Sequence, residues 1–152
     1  MPSTELKHTF RIAAPPEEVF AHLAEPLHYV GLSPLVVAVR DVRRDGVTVH
    51  YTAVERFRFL GVVRHDNLID VTLAAVPDGL PHSAEIVGEV RSPARVRMNY
   101  RFTIDRHEAG SVVTDTLRLR TPPGLLRFAA SRAGAVQRTR ARVLTFRLAR
   151  PA

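Results

Sequence analysis

The stretch VVTDTLRLRTPPGLL, residues 112–126, contains the point at which the side-chain pattern of this chain changes. Its first half alternates between apolar and polar residues, which is typical of a β-strand with one buried face. Pro122, Pro123 and Gly124 then end the strand, because proline donates no ladder hydrogen bond and glycine favours turns. Beyond them the alternation ceases, and residues 125–149 have the spacing of one long helix. The stretch therefore predicts a last strand followed by a C-terminal helix.

The predicted C-terminal helix has an apolar stripe and a run of small residues. The stripe consists of Leu126, Ala129, Ala133, Val136, Val143 and Leu144. Residues 129–135, AASRAGA, are mostly small. Because small side chains fill little volume, we expect space between this part of the helix and the layer that it covers.

The chain before residue 122 is dominated by strands. Residues 35–121 predict six consecutive strands, since β-branched and aromatic residues alternate there with polar ones. Turn residues separate the strands at 44–46, 77–79, 92–93 and 108–110. Strands joined in this way favour an antiparallel meander. Residues 4–13 predict one more strand, which makes about seven.

Two short helices are predicted between the first strand and the meander. Pro15 and Pro16 suit the first turn of a helix, where a proline gives up no helical hydrogen bond, and Pro26 ends it. A second helix is predicted over residues 26–30. The order of elements belongs to the α+β class, and its length fits one domain over residues 1–152.

This architecture predicts an internal cavity. A sheet of seven strands must cover its apolar face, and the chain offers only one long helix to do so. We therefore expect a cavity between residues 129–135 and the inner face of the sheet, able to hold a small hydrophobic molecule.

Composition excludes several classes of protein. With 45% hydrophobic and 24% charged residues, the chain is not intrinsically disordered. No apolar run approaches the roughly 20 residues of a membrane span. The N-terminus has no apolar stretch behind a basic start, so we expect a cytoplasmic location. The absence of cysteine excludes disulfides, thiol catalysis and cysteine-based metal sites.

The net charge of +7 raises the question of nucleic acid. Of 22 basic residues only Lys7 is a lysine, and the arginines are spread along the chain instead of forming one tract. No nucleic-acid-binding motif accompanies them. The pattern argues against nucleic acid as a partner and for a basic outer surface.

Strand alternation indicates which polar side chains face the interior. Tyr51 and Glu55 share the apolar register of their strand, and His65 and Asn67 share that of the next. Tyr100 and Asp115 lie on the inner register of the sixth and last strands. The same inner registers contain Phe57, Phe59, Met98 and Phe102. Most arginines fall on the other register: Arg56, Arg58, Arg64, Arg95, Arg97, Arg101, Arg118 and Arg120.

Two interpretations of these inner polar groups stay open. In the functional one, Glu55, His65 or Asp115 is a general acid or base in a cavity, while Tyr51, Tyr100 and Asn67 orient a carbonyl or phenol group. In the structural one, the groups bond to backbone or arginine and hold the sheet together. In particular, Asp115 could pin the last helix through Arg140, which lies near the apolar stripe of that helix.

Metal and cofactor motifs are missing from the sequence. No H-x-H or H-E-x-x-H pattern occurs, there is no glycine-rich nucleotide loop, and no serine lies in a nucleophile elbow. We therefore predict neither a metal nor another cofactor.

Residues 10–39, FRIAAPPEEVFAHLAEPLHYVGLSPLVVAV, resemble the opening of the START-like (SRPBCC) superfamily, which includes polyketide cyclases, START lipid-binding domains and the birch pollen allergen family. The similarity runs through a strand, the motif APPEEVF at residues 14–20, a short second helix and a proline before the next strand. Residues 112–126 are similar to the end of bacterial ligand-binding members, with Asp115 and Pro123-Gly124 at matching positions. The resemblance implies the helix-grip fold, in which a curved antiparallel sheet wraps a long C-terminal helix.

The resemblance also implies an apolar ligand. Our first hypothesis is a module that binds a hydrophobic, aromatic or lipid-like molecule without a cofactor, as a monomer or a homodimer. The alternative is an enzyme of polyketide cyclase/dehydrase type that uses acid-base residues in the cavity. Aromatic polyketide cyclases tend to be richer in tryptophan, and this chain has none. We expect the ligand to contact Tyr51, Glu55, Phe57, His65, Asn67, Met98, Tyr100, Phe102, Asp115 and Ala133.

Overall fold

A computed structural model describes residues 1–59, 63–93 and 95–149, without the side chains of residues 58 and 59. The predicted order of elements is confirmed. The strands are β1 (Ser3–Ile12), β2 (Val36–Asp45), β3 (Thr48–Phe59), β4 (Val63–Val76), β5 (Ser83–Arg91), β6 (Arg97–His107) and β7 (Gly110–Arg120). The helices are α1 (Pro16–Ala24), a short 3-10 helix (Pro26–Tyr29) and α2 (Leu126–Leu148).

The seven strands form one antiparallel sheet in the order β1-β7-β6-β5-β4-β3-β2. Strands β2 to β7 follow one another as a meander because each connection is short. Gly46 has a φ of +61° in the turn between β2 and β3, a conformation that glycine adopts without strain. Strand β1 pairs with β7, with Leu6 opposite Leu117, so the chain's first strand becomes an edge of the sheet.

Helix α1 begins where the prolines predict. Pro15 is its N-cap, and Glu17 and Glu18 lie in the first turn, where the partial positive charge of the helix end stabilises them. Its buried residues are Pro16, Val19 and Leu23. The helix packs against β5 and β6 and so covers one end of the concave face.

Helix α2 lies across β1 and β7. Its buried residues are Ala133, Gln137, Arg140, Ala141 and Leu144. The buried face therefore includes two polar residues that the apolar stripe did not predict. Gln137 is accommodated because its Nε2 donates to the backbone oxygens of Leu6 and Asp115, at 3.3 and 3.1 Å.

The inner registers of β6 and β7 are as predicted. Phe102, Ile104, Val113, Leu117 and Leu119 are at most 5% exposed. The arginines predicted to lie outside are exposed on β4, β6 and β7, and Arg56 forms an ion pair with Asp66 across β3 and β4. The predictions for the side chains of Arg58 and Phe59 lie outside the described residues.

The interior prediction is wrong at the start of β4. His65 was expected to face the interior, but it is exposed, as are the other residues from 63 to 66. Helix α2 packs on β1 and β7, and β4 lies three strands away from β7 in the sheet, so the inward register at the start of β4 faces solvent. None of the helices in the described residues has the length and apolarity that crossing a membrane requires.

Candidate ligand-binding cavity

A cavity of about 120 Å³ lies among the 3-10 helix, the segment after it, the concave face of the sheet and α2. One water molecule needs roughly 10–15 Å³, so this space is far larger than a packing defect. Most of its wall is carbon. The residues that line it are Tyr29, Ser33, Pro34, Leu35, Val36, Tyr51, Ala53, Glu55, Ile69, Val71, Val90, Met98, Tyr100, Leu117, Val136 and Arg140.

The cavity lies closer to the C-terminal end of α2 than we expected from the small residues at 129–135. Helix α2 contributes Val136 and Arg140 to the wall, whereas Ala133 is buried in the hydrophobic core. Ala129 and Ala130 also pack against the core. Small side chains here let the helix pack closely on the sheet, so the expected space is closed at residues 129–135. The cavity adjoins α2 at Val136 and Arg140 instead.

Arg140 and Asp115 form a buried ion pair at one side of the cavity. Arg140 Nη2 donates to Asp115 Oδ2 at 2.8 Å, and the two side chains are 10% and 1% exposed. Burial alone would lower the pKa of Arg140, but the Asp115 carboxylate outweighs it and the pKa is raised. The guanidinium also lies 5.0 Å from the centre of the Phe102 ring. Arg140 therefore stays a cation, with its charge offset by Asp115.

Two buried polar atoms of this ion pair, Arg140 Nε and Asp115 Oδ1, have no hydrogen-bond partner among the described residues. A buried polar group without a partner costs about 1–3 kcal/mol. Arg140 lines the cavity, whereas Asp115 lies behind it. The Tyr100 hydroxyl also lies at the wall, where it interacts with the side chains of Tyr29 and Tyr51. The wall thus carries a donor, Arg140 Nε, that the described part of the chain does not use.

Three tyrosines place their side chains at the cavity wall. Burial raises the pKa of Tyr29, Tyr51 and Tyr100, so all three hydroxyls are protonated. Tyr29 donates its proton to the Leu23 backbone oxygen at 2.8 Å. The Tyr100 ring lies against the backbone of Gly88, its partner on β5, and edge-on to Phe102 at 5.6 Å. Gly88 is needed there because a Cβ would overlap the ring.

Glu55 is the carboxylate of the cavity wall. Burial raises its pKa, and the Arg132 cation opposes that rise. Arg132 is exposed on α2, 5.9 Å from the centre of the Phe57 ring and 5.7 Å from that of Phe128. Glu55 therefore titrates between a carbon-lined interior, which favours its neutral form, and a nearby cation, which favours its charged form.

The structure brings only some of the predicted residues together. Tyr51, Glu55, Met98 and Tyr100 line the cavity. Asp115 and Phe102 are buried behind Arg140. His65 is exposed on the uncovered end of β4 and bonds to Asn67, with 2.8 Å between Nε2 and Oδ1, so neither joins the wall. Phe57 contacts Arg132 instead. Glu55, His65 and Asp115 therefore lie apart and do not form one acid-base group.

Part of the wall was not predicted from the sequence. Tyr29 and the segment from Ser33 to Val36 were absent from the predicted site, as was Val136. Arg140 entered the sequence analysis only as a structural partner of Asp115, in one of the two open interpretations, and the two side chains form an ion pair. The signal for Tyr29 was weak, because a single tyrosine in a four-residue helix has no periodicity from which to assign its face.

The arrangement is suited to holding an apolar molecule that carries an oxygen atom. Carbon side chains supply the bulk of the wall, while neutral hydroxyls and one compensated guanidinium supply directional contacts. Among residues 1–59, 63–93 and 95–149, no three His, Asp or Glu side chains are grouped to hold a metal ion.

The sequence of this chain matches a known protein family. The profile of the family described as polyketide cyclase / dehydrase and lipid transport matches residues 3–150. None of the curated proteins matches the chain significantly.

Several solved structures share the fold. The Zhui aromatase/cyclase from Streptomyces sp. R1128 has a TM-score of 0.78 at 13% identity, over 97% of this chain and 94% of that one. A START superfamily protein from Mycobacterium smegmatis has a TM-score of 0.68 at 13% identity, over 95% of this chain and 96% of that one. A protein from Thermus thermophilus has a TM-score of 0.68 at 18% identity, over 95% of this chain and 97% of that one.

The solved structures confirm the helix-grip fold. The family profile, together with that fold, confirms the START-like superfamily. Family and fold together indicate a polyketide cyclase/dehydrase or a START-like ligand-binding protein. Because the family profile spans nearly all of the sequence, the chain belongs to the polyketide cyclase/dehydrase and lipid transport family.

Proposed function

We propose that this protein binds a small hydrophobic or aromatic molecule in the cavity between the sheet and α2, without a cofactor. The observation that carries the proposal is the wall itself. Leu35, Val36, Ile69, Val71, Val90, Met98, Leu117 and Val136 surround the space with carbon. An apolar molecule gains about 25 cal/mol for each Å² that such a wall removes from water.

Uptake of a neutral fluorescent dye tests the proposal. We expect N-phenyl-1-naphthylamine to gain fluorescence with the folded protein and to be displaced by 2-acetylnaphthalene. A larger side chain at the wall should block the cavity, so Val136→Phe should weaken dye binding at least about tenfold. Val47→Phe is the matched control, because Val47 is 62% exposed and away from the cavity.

The proposal fails if the wild-type protein does not take up the dye. It also fails if Val136→Phe binds the dye as the wild type does, since binding would then be elsewhere on the molecule. Circular dichroism of both variants checks that each substitution preserves the fold.

An enzyme of polyketide cyclase/dehydrase type is the second candidate, favoured by the position of Glu55. Burial raises the pKa of this carboxyl in a wall that also holds Tyr100 and Arg140. A carboxyl tuned in this way suits general acid-base work. Ionised Glu55 would take a proton from the carbon next to a ligand carbonyl, while Tyr100 and Arg140 would donate hydrogen bonds to the enolate oxygen.

Proton exchange separates the two candidates. If Glu55 is a base, the methyl protons of 2-acetylnaphthalene should exchange with D₂O faster in the presence of the protein, as followed by NMR. Glu55→Gln should keep dye binding and lose the acceleration. A wild-type protein that binds the ketone without accelerating exchange would support binding alone.

A further inference from the structure

We propose that the exposed side of α2 binds the surface of a membrane that contains anionic lipids. The other side of this helix is already occupied, since Ala133, Gln137 and Leu144 are buried. The exposed side runs along the whole helix, and we call it the outer face of α2. It consists of Phe128, Arg132, Ala135, Arg138, Arg142 and Phe146. The proposal does not depend on what the cavity holds.

Two phenylalanines mark the ends of the outer face of α2. Phe128 is 65% exposed and Phe146 is 85% exposed. They lie 18 positions apart, which is about five turns of an α-helix, so both side chains point in the same direction, about 27 Å apart. Large apolar side chains in water are unfavourable, and moving them into an apolar phase would release that free energy.

The charge between the two phenylalanines is positive and uncompensated. Helix α2 contains six arginines and no acidic residue, and Asp115 is the last acidic residue of the chain. Arg140 is paired with Asp115, and Arg147 donates to backbone oxygens. Arg138 and Arg142 have no ion-pair partner among the described residues. Outside α2, carboxylates form ion pairs with Arg44, Arg56, Arg91, Arg101, Arg106 and Arg118.

An anionic lipid surface complements both features. The guanidinium of arginine binds phosphate oxygens through two parallel hydrogen bonds, and phenylalanine enters the boundary between head groups and acyl chains. A continuous apolar layer accepts two phenylalanines at any spacing, whereas a protein partner would need two pockets about 27 Å apart. A second copy of this chain does not fit, because a two-fold contact through this face would bring the arginines of both copies together.

Sedimentation with lipid vesicles tests the proposal. The protein should bind vesicles that contain phosphatidylglycerol and phosphatidylcholine, and should not bind vesicles of phosphatidylcholine alone. Raising the salt concentration to about 0.5 M should release it, because salt screens the attraction between exposed charges. Phe146→Ala should weaken binding at least about fivefold, since it removes an apolar contact with the membrane. Because Phe146 is 85% exposed, its loss should leave the fold unchanged, as circular dichroism will show.

Two pairs of arginine substitutions separate the position of the charge from its amount. Arg138→Gln combined with Arg142→Gln should weaken vesicle binding at least about tenfold. Arg97→Gln combined with Arg120→Gln is the matched control. These two arginines are exposed and lie opposite each other on β6 and β7, so the net charge changes equally while α2 is untouched. The control should keep the wild-type affinity within about threefold.

A tryptophan reporter shows which face meets the membrane. The chain has no tryptophan, so Phe146→Trp introduces a single emitter on the outer face of α2. Its fluorescence should shift to shorter wavelength with phosphatidylglycerol vesicles and be quenched by lipids brominated in their acyl chains. Val47→Trp is the control, because Val47 is 62% exposed in the turn between β2 and β3. Its fluorescence should not change.

Several results would overturn the proposal and leave the binding function of the cavity standing. These are no binding to anionic vesicles, equal binding to neutral ones, or equal losses in the two arginine pairs. Quenching of the tryptophan at position 47 but not of that at 146 would place the contact elsewhere. Displacement by a single-stranded oligonucleotide, with Phe146→Ala binding vesicles as the wild type does, would indicate a site for soluble polyanions instead.

Discussion

Arg140 and Asp115 make contact at 2.8 Å where water is nearly excluded. Taking two charges out of water costs more than a simple contact returns, unless their remaining atoms are also satisfied. Here those atoms are not satisfied, since Arg140 Nε and Asp115 Oδ1 have no hydrogen-bond partner among the described residues. We conclude that the pair specifies how α2 docks on β7 more than it adds to the free energy of unfolding.

A double-mutant cycle tests this conclusion. Arg140→Met and Asp115→Leu should each lower the free energy of unfolding by about 3–5 kcal/mol, because each leaves a buried charge without its partner. The double variant should lose less than either single one, since it leaves no charge behind. Urea denaturation measures all three. Losses that simply add would show that the charges do not depend on each other.

Gly88 is the other position where a single atom decides the local structure. The Tyr100 ring occupies the place that a Cβ of residue 88 would take. Glycine in a strand is otherwise unfavourable, by about 0.5–1 kcal/mol relative to alanine. Its presence here is explained by the orientation of Tyr100, whose hydroxyl it allows to reach the cavity wall.

Gly88→Ala should therefore displace the Tyr100 ring and lower the free energy of unfolding by about 1–3 kcal/mol. In a Tyr100→Leu background the same substitution should be neutral or stabilising, because no ring is in the way. Denaturant titration of the wild type, the two single variants and the double variant gives the effect of Gly88→Ala on the free energy of unfolding in each background. An equal loss in the two backgrounds would contradict the close approach.

The last turn of α2 holds the 3-10 helix and the segment that follows it. Arg147 Nη1 donates to the His28 backbone oxygen at 2.6 Å, and Nη2 donates to that of Val30 at 2.9 Å. The same Nη1 lies 3.2 Å from His22 Nε2. Since Tyr29 and residues 33–36 form one side of the cavity, the end of α2 stabilises the cavity wall without lining it.

Replacing Arg147 should loosen that side of the cavity. Arg147→Met should lower the free energy of unfolding by about 1–2 kcal/mol and speed hydrogen exchange at the amides of Ser33 and Val36. These amides are bonded to Tyr29 and Ser33, within the segment that Arg147 holds. Arg142→Met is the control, because Arg142 is exposed and its side chain donates a hydrogen bond to Thr139, within α2 itself. Equal exchange in both variants would rule out the role given to Arg147.

The stability of the whole molecule should depend on pH through His22. Burial lowers its pKa to about 4, and the positive charges of His28 and Arg147 add to the effect. The His22 and His28 rings are stacked with their centres 4.1 Å apart. In the unfolded chain a histidine gains its proton near pH 6.5, whereas folded His22 stays neutral until about pH 4. The stabilisation from neutral His22 is complete above pH 6.5 and is lost as the pH falls toward 4.

Because the ring is only half-buried, we expect this loss to be about 1 kcal/mol. The urea midpoint of the wild type should fall between pH 6.5 and 4, and that of His22→Gln should change less. Glu55 acts in the opposite direction, since its raised pKa favours the folded state at low pH. The proteins with and without His22 are therefore compared with Glu55→Gln present in both, which removes this opposing titration. Identical pH profiles with and without His22 would contradict the assignment.

Local pattern was sufficient for the order of the elements and for much of the register. Alternation in β6 and β7 correctly predicts that Phe102, Asp115 and Leu117 point inward, because side chains two apart in a strand share a face. Turn residues mark the strand ends because their backbone preferences act over a few residues. The pairing of Asp115 with Arg140 was foreseeable as an alternative, since both lie on buried faces of their elements.

The position of the cavity could not be foreseen in the same way. A cavity is a gap between elements that are distant in sequence, and its place depends on how closely each pair of layers packs. Small residues at 129–135 closed the space that they were expected to leave, and the opening lies at Val136 and Arg140. His65 failed as a candidate because it is exposed at the start of β4, while α2 packs on β1 and β7, and no strand pattern contains the position of that helix. Periodicity assigns a side chain to a face, and only the packing of distant elements decides whether that face is covered, open or hollow.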